Sequence, residues 1–459
     1  MPTAPAAVSS ATDALDAADR RFGWHPFTQM REYLDNPRLH LVRGEGSWLI
    51  DGEGRRYLDG NASVWTNVHG HNDPDLNRAL REQAEKVAHV TLLGLNHPVA
   101  TELAQDLAGL TNGALSRCFY SDNGSNAVEV ALKLSFQYWQ LVGQEAKRGV
   151  ISMEGAYHGD TFGTMAVGER SEFHRRFAPW LFAAQTFPAP VHSECAGQVS
   201  RSDASASLAA LKALLERDAA TTACVILEPR VQGAAGMIQQ PAGFVKAVAE
   251  LCRQYGVHLI LDEVFTGFGR LGALTAAETE GVVPDFLCLA KGLAAGYLPL
   301  AATLTSEKIH DAFLGKFSEG KTFFHGHTFS GNPLGCAVAR ASLRKLKPML
   351  ASGQVAERAA LLGREMAAAF SGHAHVRTFR QLGLTGSVEF KPTGAGRWPT
   401  DVRAGYRVAL AARRHGLVIR PLGDSILFVP PISIQADEVK HLVRAVRLAM
   451  DDVLPALPA

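Results

Sequence analysis

The chain has 459 residues, 47% hydrophobic and 20% charged, and its 46 Lys and Arg nearly balance 45 Asp and Glu for a formal charge of +1. That length supplies core for two or three domains, and the composition is that of an ordinary globular protein. The charge balance argues against nucleic-acid or membrane-surface partners, and the apolar runs are too short and interrupted for a transmembrane helix.

Residues 1–20 are rich in Ala and lack the basic and apolar regions of a secretory signal, so they read as a flexible extension. Residues 41–59, LVRGEGSWLIDGEGRRYLD, predict a β-hairpin around DGEG. Helical periodicity follows in LNRALREQAEKVAHV and HPVATELAQDLAGL. The strands RCFYSD, RGVISME, CVILEP, VHLILDE, DFLCLAK and LAATLTS then alternate with helices such as AVEVALKLSFQYWQ and GFVKAVAELCRQYG. That alternation predicts an α/β fold with a mostly parallel sheet flanked by helices, and a ligand at the carboxyl ends of the strands. The Ser-rich HSECAGQVSRSDASAS reads as a loop. After about residue 340, helix ARASLRKLKPML leads into strand–turn–helix pieces expected to form a smaller α+β domain. The expected division is an extension over 1–20, a segment over 21–75 that joins the small domain, a large domain over 76–340 and the small domain over 341–459. Six scattered cysteines without CxxC spacing predict free thiols in a reducing compartment, the cytoplasm, and neither disulfides nor a zinc site.

Four motifs bear on chemistry. GFGRLG at 267–272 fits the dinucleotide fingerprint G-x-G-x-x-G. Its context is wrong, because Asp262 and Glu263 end the preceding strand and would repel a pyrophosphate. SDNGSNAVEVALK at 121–133 ends a strand and opens a helix at Gly124 and Ser125, where free N–H groups suit a phosphate. Asp262 ends an almost wholly apolar strand and needs a partner, such as a protonated ring nitrogen. Lys291 ends another apolar strand, where burial lowers a lysine's pKa and makes its amine a nucleophile. Each has an ordinary reading: an N-cap, a salt bridge, a lysine reaching water. Together they are the parts of a pyridoxal phosphate site, with a phosphate cradle, a partner for the ring nitrogen and a Schiff-base lysine.

From about residue 20 onward the sequence resembles the class III (subgroup II) pyridoxal-phosphate aminotransferases of fold type I. The resemblance is carried by WHPFTQM, DGNASVWTNVHGHN, SDNGSNAVEVALKLSFQYW, GAYHGDTFG, EPRVQGAAGM, LILDEVFTGFGRLG, LAKGLAAGYLPL, FFHGHTFSGNPLG and VIRPLGD. Within the family, WHPFT, SVW, GAYHGDTFG and IRPLG are similar to the branch that converts 8-amino-7-oxononanoate to 7,8-diaminononanoate in biotin synthesis. The resemblance implies Lys291 as Schiff-base residue and proton shuttle, Asp262 on the pyridinium nitrogen, and Gly124 and Ser125 at the phosphate. It implies Tyr157 stacked on the ring with His158 beside it. Thr328 would reach the phosphate from a neighbouring subunit of a homodimer, with His327 also at the cofactor and Gly326 at the substrate. Trp65 and Phe27 would line the substrate tunnel, and Arg420 would bind the substrate carboxylate.

Departures from the family pattern bear on the substrates. Phe27 stands where many relatives have Tyr. Val64-Trp65 stands where enzymes using S-adenosylmethionine often have two Trp. SVWTNVHGH and FFHGHTFSGN resemble the lysine-using branch, so either S-adenosylmethionine or L-lysine is expected as donor. Family members that use glutamate carry QGEAG and an arginine before a Pro-Pro pair. This chain has Ala234 and Leu427 at those places. The alternatives are another ω-amino acid:pyruvate transaminase or an aminomutase, and a catalytically silent cofactor-binding protein.

Overall fold

The computed structural model describes residues 6–169, 173–393 and 396–458. Its centre is a seven-stranded sheet in the spatial order Arg117–Ser121, Ala301–Thr305, Phe286–Leu289, His258–Asp262, Thr222–Leu227, Gly149–Met153, Gln185–Phe187. Ala301–Thr305 runs antiparallel to both of its neighbours, and the other pairings are parallel. Thr222–Leu227, His258–Asp262 and Phe286–Leu289 are buried along their whole length, as strands covered on both faces must be. The short strand Gln185–Phe187 had no counterpart in the sequence reading.

The covering helices follow from their apolar spacing. Helix Phe244–Tyr255 buries Val245, Val248, Ala249 and Cys252, one stripe at helical period, and stops at Gly256 with φ +62°. Helix Gly124–Leu141 buries Ala127, Val128, Ala131, Leu134, Ser135 and Tyr138.

N-terminal strands Leu41–Glu45, Trp48–Asp51 and Arg56–Asp59 form an antiparallel ribbon that Leu417–Val418 extends in parallel. Strands Val376–Leu382, Thr385–Phe390, Ser425–Phe428 and Pro421–Leu422 form a separate antiparallel sheet. Helices Gln354–Phe370 and Ala436–Val453 pack on each other beside it.

Two segments differ from the sequence reading. Within residues 1–20, a helix runs from Ala6 to Phe22, and Asp16 in it forms an ion pair with Arg38. Tyr33 Oη also donates to Asp19 Oδ2 at 2.8 Å, so the segment is tied down. The Ser-rich stretch is a hairpin, Val191–Cys195 against Gln198–Asp203. Its turn uses Ala196 at φ +54° and Gly197 at φ +74°, the left-handed pair that two-residue hairpins favour. Its outer strand is exposed at every residue, which is why its composition looks like a loop. All six cysteines are free. Among the described residues no helix is long and apolar enough to cross a membrane.

Candidate active site

Five strands with a common direction release their chains at one end of the sheet, and the residues that follow line a cavity of about 470 Å³. They contribute Asn123 to Ser125, Tyr157 to Gly159, Glu228, Asp262 and Lys291. Trp65, Phe265 and Tyr297 to Leu300 complete the wall.

Lys291 follows Phe286–Leu289 and adopts φ +41°, unusual for a residue with a Cβ. Its Nζ sits 4.7 Å from the Trp65 ring centroid and 5.9 Å from that of Phe265. Burial lowers the amine below the ordinary lysine range, with Asp262 and Glu228 opposing. The amine therefore sheds its proton more readily than a surface lysine.

Asp262 and Glu263 are both buried and point to opposite sides, as strand alternation requires. Asp262 turns to the cavity, where Oδ2 pairs with His158 Nδ1 at 2.7 Å and Oδ1 accepts the Val264 N–H at 3.0 Å. His158 Nε2 is buried with no hydrogen-bond partner among the described residues. Glu263 turns away and accepts the N–H groups of Ala276 and Ala277 at 2.6 and 2.7 Å. The segment 267–272 makes turns with no helix opening from it, so the dinucleotide fingerprint is absent as a structure. Arg270 in that segment is buried and donates to the carbonyls of Leu384 and Pro430.

The helix Gly124–Leu141 opens beside Asp262. Asn123 caps it by accepting the Asn126 N–H at 3.1 Å. Two glycines keep this end open. A Cβ on Gly124 would lie 2.5 Å from Val264 Cγ1, and one on Gly159, at φ +127°, would lie 1.9 Å from Ser125 Oγ. Tyr157 holds its ring by donating from Oη to Asp160 Oδ2 at 2.8 Å and by stacking on His174 at 5.8 Å.

Glu228 was not among the residues assigned a role from sequence. It is 4% exposed and accepts the N–H of Tyr157 at 3.2 Å and of Gly233 at 3.0 Å. Its signal was present, since it ends the apolar strand CVIL just as Asp262 ends HLIL. Burial pushes its carboxyl up to about 7; His158 opposes and Asp262 reinforces the shift. A raised carboxyl favours the folded state in its protonated form. That contribution is full below the unfolded value and is lost as pH rises through about 7. Glu228→Gln should therefore gain in melting temperature relative to the parent between pH 5 and 8. The gain is a few degrees, from at most about 3 kcal/mol. Thermal melts across that range check this; a variant that loses ground as pH rises contradicts it.

Several residues implied by the resemblance lie outside this cavity. Phe27 is 60% exposed and packs edge-on against Phe173 at 5.7 Å. Gly326 and Thr328 are exposed, and His327 Nδ1 lies 3.8 Å from Asp122 Oδ2. Arg420 is exposed, and its backbone N–H donates to Asn61 Oδ1.

Comparison with known proteins places the chain in one family. The family model "Aminotransferase class-III" matches residues 30–450. A Geobacter sulfurreducens protein named adenosylmethionine-8-amino-7-oxononanoate aminotransferase is 46% identical over 438 residues, covering 94% of this chain and 96% of its own. The crystal structure of the enzyme of the same name from Methanocaldococcus jannaschii superposes with a TM-score of 0.90 at 37% identity, over 96% of this chain and 99% of that one. An amine transaminase from an uncultivated Pseudomonas species, solved in its PLP-bound form, superposes with a TM-score of 0.85 at 32% identity, over 94% of this chain and 98% of that one. A lysine, an aspartate and a glycine-lined helix end at one cavity fit pyridoxal phosphate, and the chain belongs to the class-III aminotransferases, as a pyridoxal-phosphate-dependent enzyme.

Proposed function

We propose that the protein aminates 8-amino-7-oxononanoate to 7,8-diaminononanoate, a step of biotin synthesis, with S-adenosylmethionine as amino donor. The carrying observation is the Trp65 indole over Lys291 Nζ at 4.7 Å, in a segment to which Arg420 is tied through Asn61. An aromatic wall at the reacting end and an arginine tied by its backbone to the same segment suit a substrate with a long methylene chain and a terminal carboxylate. The names of the Geobacter and Methanocaldococcus relatives support both substrate and donor. A sulfonium cation suits the Trp65 and Phe265 faces, as does a lysine ammonium. L-Lysine is the second reading, favoured by Val64, which is 44% exposed where other enzymes carry a second Trp.

The chain's residues divide the work. The N-terminus of helix Gly124–Leu141, with Ser125, holds the cofactor phosphate. Tyr157, in the cavity lining, would stack on the ring. Asp262, oriented by His158 and Val264, would keep a proton on the ring nitrogen. When bound, pyridoxal phosphate supplies an electron sink for negative charge at the donor α-carbon. Lys291 Nζ, low in proton affinity through burial, would anchor the cofactor and, once released from it, hold the proton lost from the donor α-carbon. The lining of Trp65, Phe265 and Leu300 excludes water from that transfer.

The working form is a cytoplasmic homodimer. Thr328 from a second copy completes the phosphate site. The exposure of Thr328 and of nearby Phe317 (83%), Phe324 (74%) and Phe329 (55%) supports this, since isolated subunits rarely leave such a group uncovered.

Gly159→Ala should weaken cofactor binding by tenfold or more, on the order expected when a backbone forced to φ +127° and a displaced Ser125 both disturb the phosphate end. Equilibrium dialysis of pyridoxal phosphate measures it. The donor is tested by adding S-adenosylmethionine or L-lysine alone to the holo-protein and measuring the deaminated product by mass spectrometry. One equivalent from S-adenosylmethionine and none from lysine is expected. The reverse assigns the enzyme to the lysine-using branch.

A further inference from the structure

Segment 59–65, Asp-Gly-Asn-Ala-Ser-Val-Trp, carries Trp65 into the cavity by an unusual route. Ala62, Ser63, Val64 and Trp65 have φ of +46°, +48°, +66° and +72°, four successive left-handed residues without a glycine. L-residues resist that conformation, so it persists where surrounding structure imposes it. Asp59 imposes part of it by accepting the Ser63 N–H at 3.1 Å and the Ser63 hydroxyl at 2.9 Å. The Trp65 N–H closes the turn on the Asn61 carbonyl at 2.7 Å.

Asn61 does more than start the turn. Its side chain belongs to a residue only 3% exposed and faces the C-terminal part of the chain. Nδ2 donates to the Leu427 carbonyl at 2.9 Å, and Oδ1 accepts the backbone N–H of Arg420. An amide offers the donor and the acceptor that these two backbone groups need; aspartate lacks the donor and alanine lacks both. The flanking backbone is held too, with Gly60 N–H on Val418 O at 2.9 Å and Val429 N–H on Gly60 O at 3.0 Å. One buried residue thus fixes the Trp65 turn at one end and the Arg420 backbone at the other.

We infer that Asn61 is a positioning residue that sets the separation between Arg420 and the Trp65–Lys291 end of the cavity, and thereby the chain length of the acceptor. This rests on the reading of Arg420 as carboxylate anchor. The variants Asn61→Ala, Asn61→Asp, Arg420→Ala and the double Asn61→Ala/Arg420→Ala test it as holoenzymes. The acceptors are 8-amino-7-oxononanoate and its homologues one methylene shorter and longer. Asn61→Ala should raise KM for the oxononanoate roughly tenfold, leave donor deamination within about twofold, and flatten the preference among the three chain lengths. Asn61→Asp keeps the acceptor for the Arg420 N–H, so its KM should fall between parent and alanine; it carries the same test where the alanine variant does not fold. The double variant should be no worse than Arg420→Ala alone. Equal loss in both half-reactions, unchanged chain-length preference, or effects that add with Arg420→Ala overturn the inference. An unchanged KM in Arg420→Ala overturns the carboxylate reading itself. A raised KM there, with Asn61 variants like the parent, overturns the positioning role alone.

Discussion

Replacing Lys291 with alanine is expected to lower turnover on the order of 10⁴-fold or more, because one side chain carries both the covalent anchor and the proton transfer. The fold should survive, since Lys291 lies in a short turn after Phe286–Leu289 and its Nζ is held by aromatic faces. The cofactor should remain bound through the Gly124 helix end and Asp262. Steady-state kinetics and a cofactor-content assay on the same preparation separate the two effects. A small added amine should restore part of the rate, since it supplies the missing nitrogen without the missing tether. A variant that retains more than about one hundredth of the parent rate contradicts this role for Lys291.

Asp262→Asn is expected to lower turnover on the order of 10²- to 10³-fold, the range for removing one preorganised electrostatic partner. The amide keeps the shape and can still accept the Val264 N–H, now held at 3.0 Å. What it would lose is the charge proposed to hold a proton on the cofactor's ring nitrogen. His158, paired with Oδ2 at 2.7 Å, loses its charged partner in the same step. Both half-reactions should slow together, and KM for the oxononanoate should change little. Single-turnover measurements with donor alone and acceptor alone check this. Slowing confined to one of them would mean that Asp262 acts on a substrate and not on the cofactor.

The parts of the site that were legible in the sequence are those set by strand ends. Asp262, Lys291 and the 121–125 turn each stop an apolar run, and a parallel sheet gathers such stops at one edge. Glu228 stops a run in the same way, yet its tie to the Tyr157 and Gly233 backbones depends on loops from two other places in the chain. The left-handed turn at Ala62–Trp65 had no local signal, because it contains no glycine and is held by the Asp59 carboxylate and the Asn61 backbone carbonyl. The hairpin at 191–203 was hidden by an outer strand that faces solvent throughout. Helix Ala6–Phe22 was hidden because its anchors, Arg38 and Tyr33, lie outside it. Phe27, Thr328 and Arg420, whose roles came from the resemblance alone, stand apart from the cavity within one chain.

The most direct test of the account is to incubate the purified holo-protein with S-adenosylmethionine and 8-amino-7-oxononanoate and measure 7,8-diaminononanoate by mass spectrometry. Catalytic product formation that disappears in Lys291→Ala is expected. No diaminononanoate with either S-adenosylmethionine or lysine, alongside ready transfer from ω-amino acids to pyruvate, would contradict it and make the protein a general ω-transaminase.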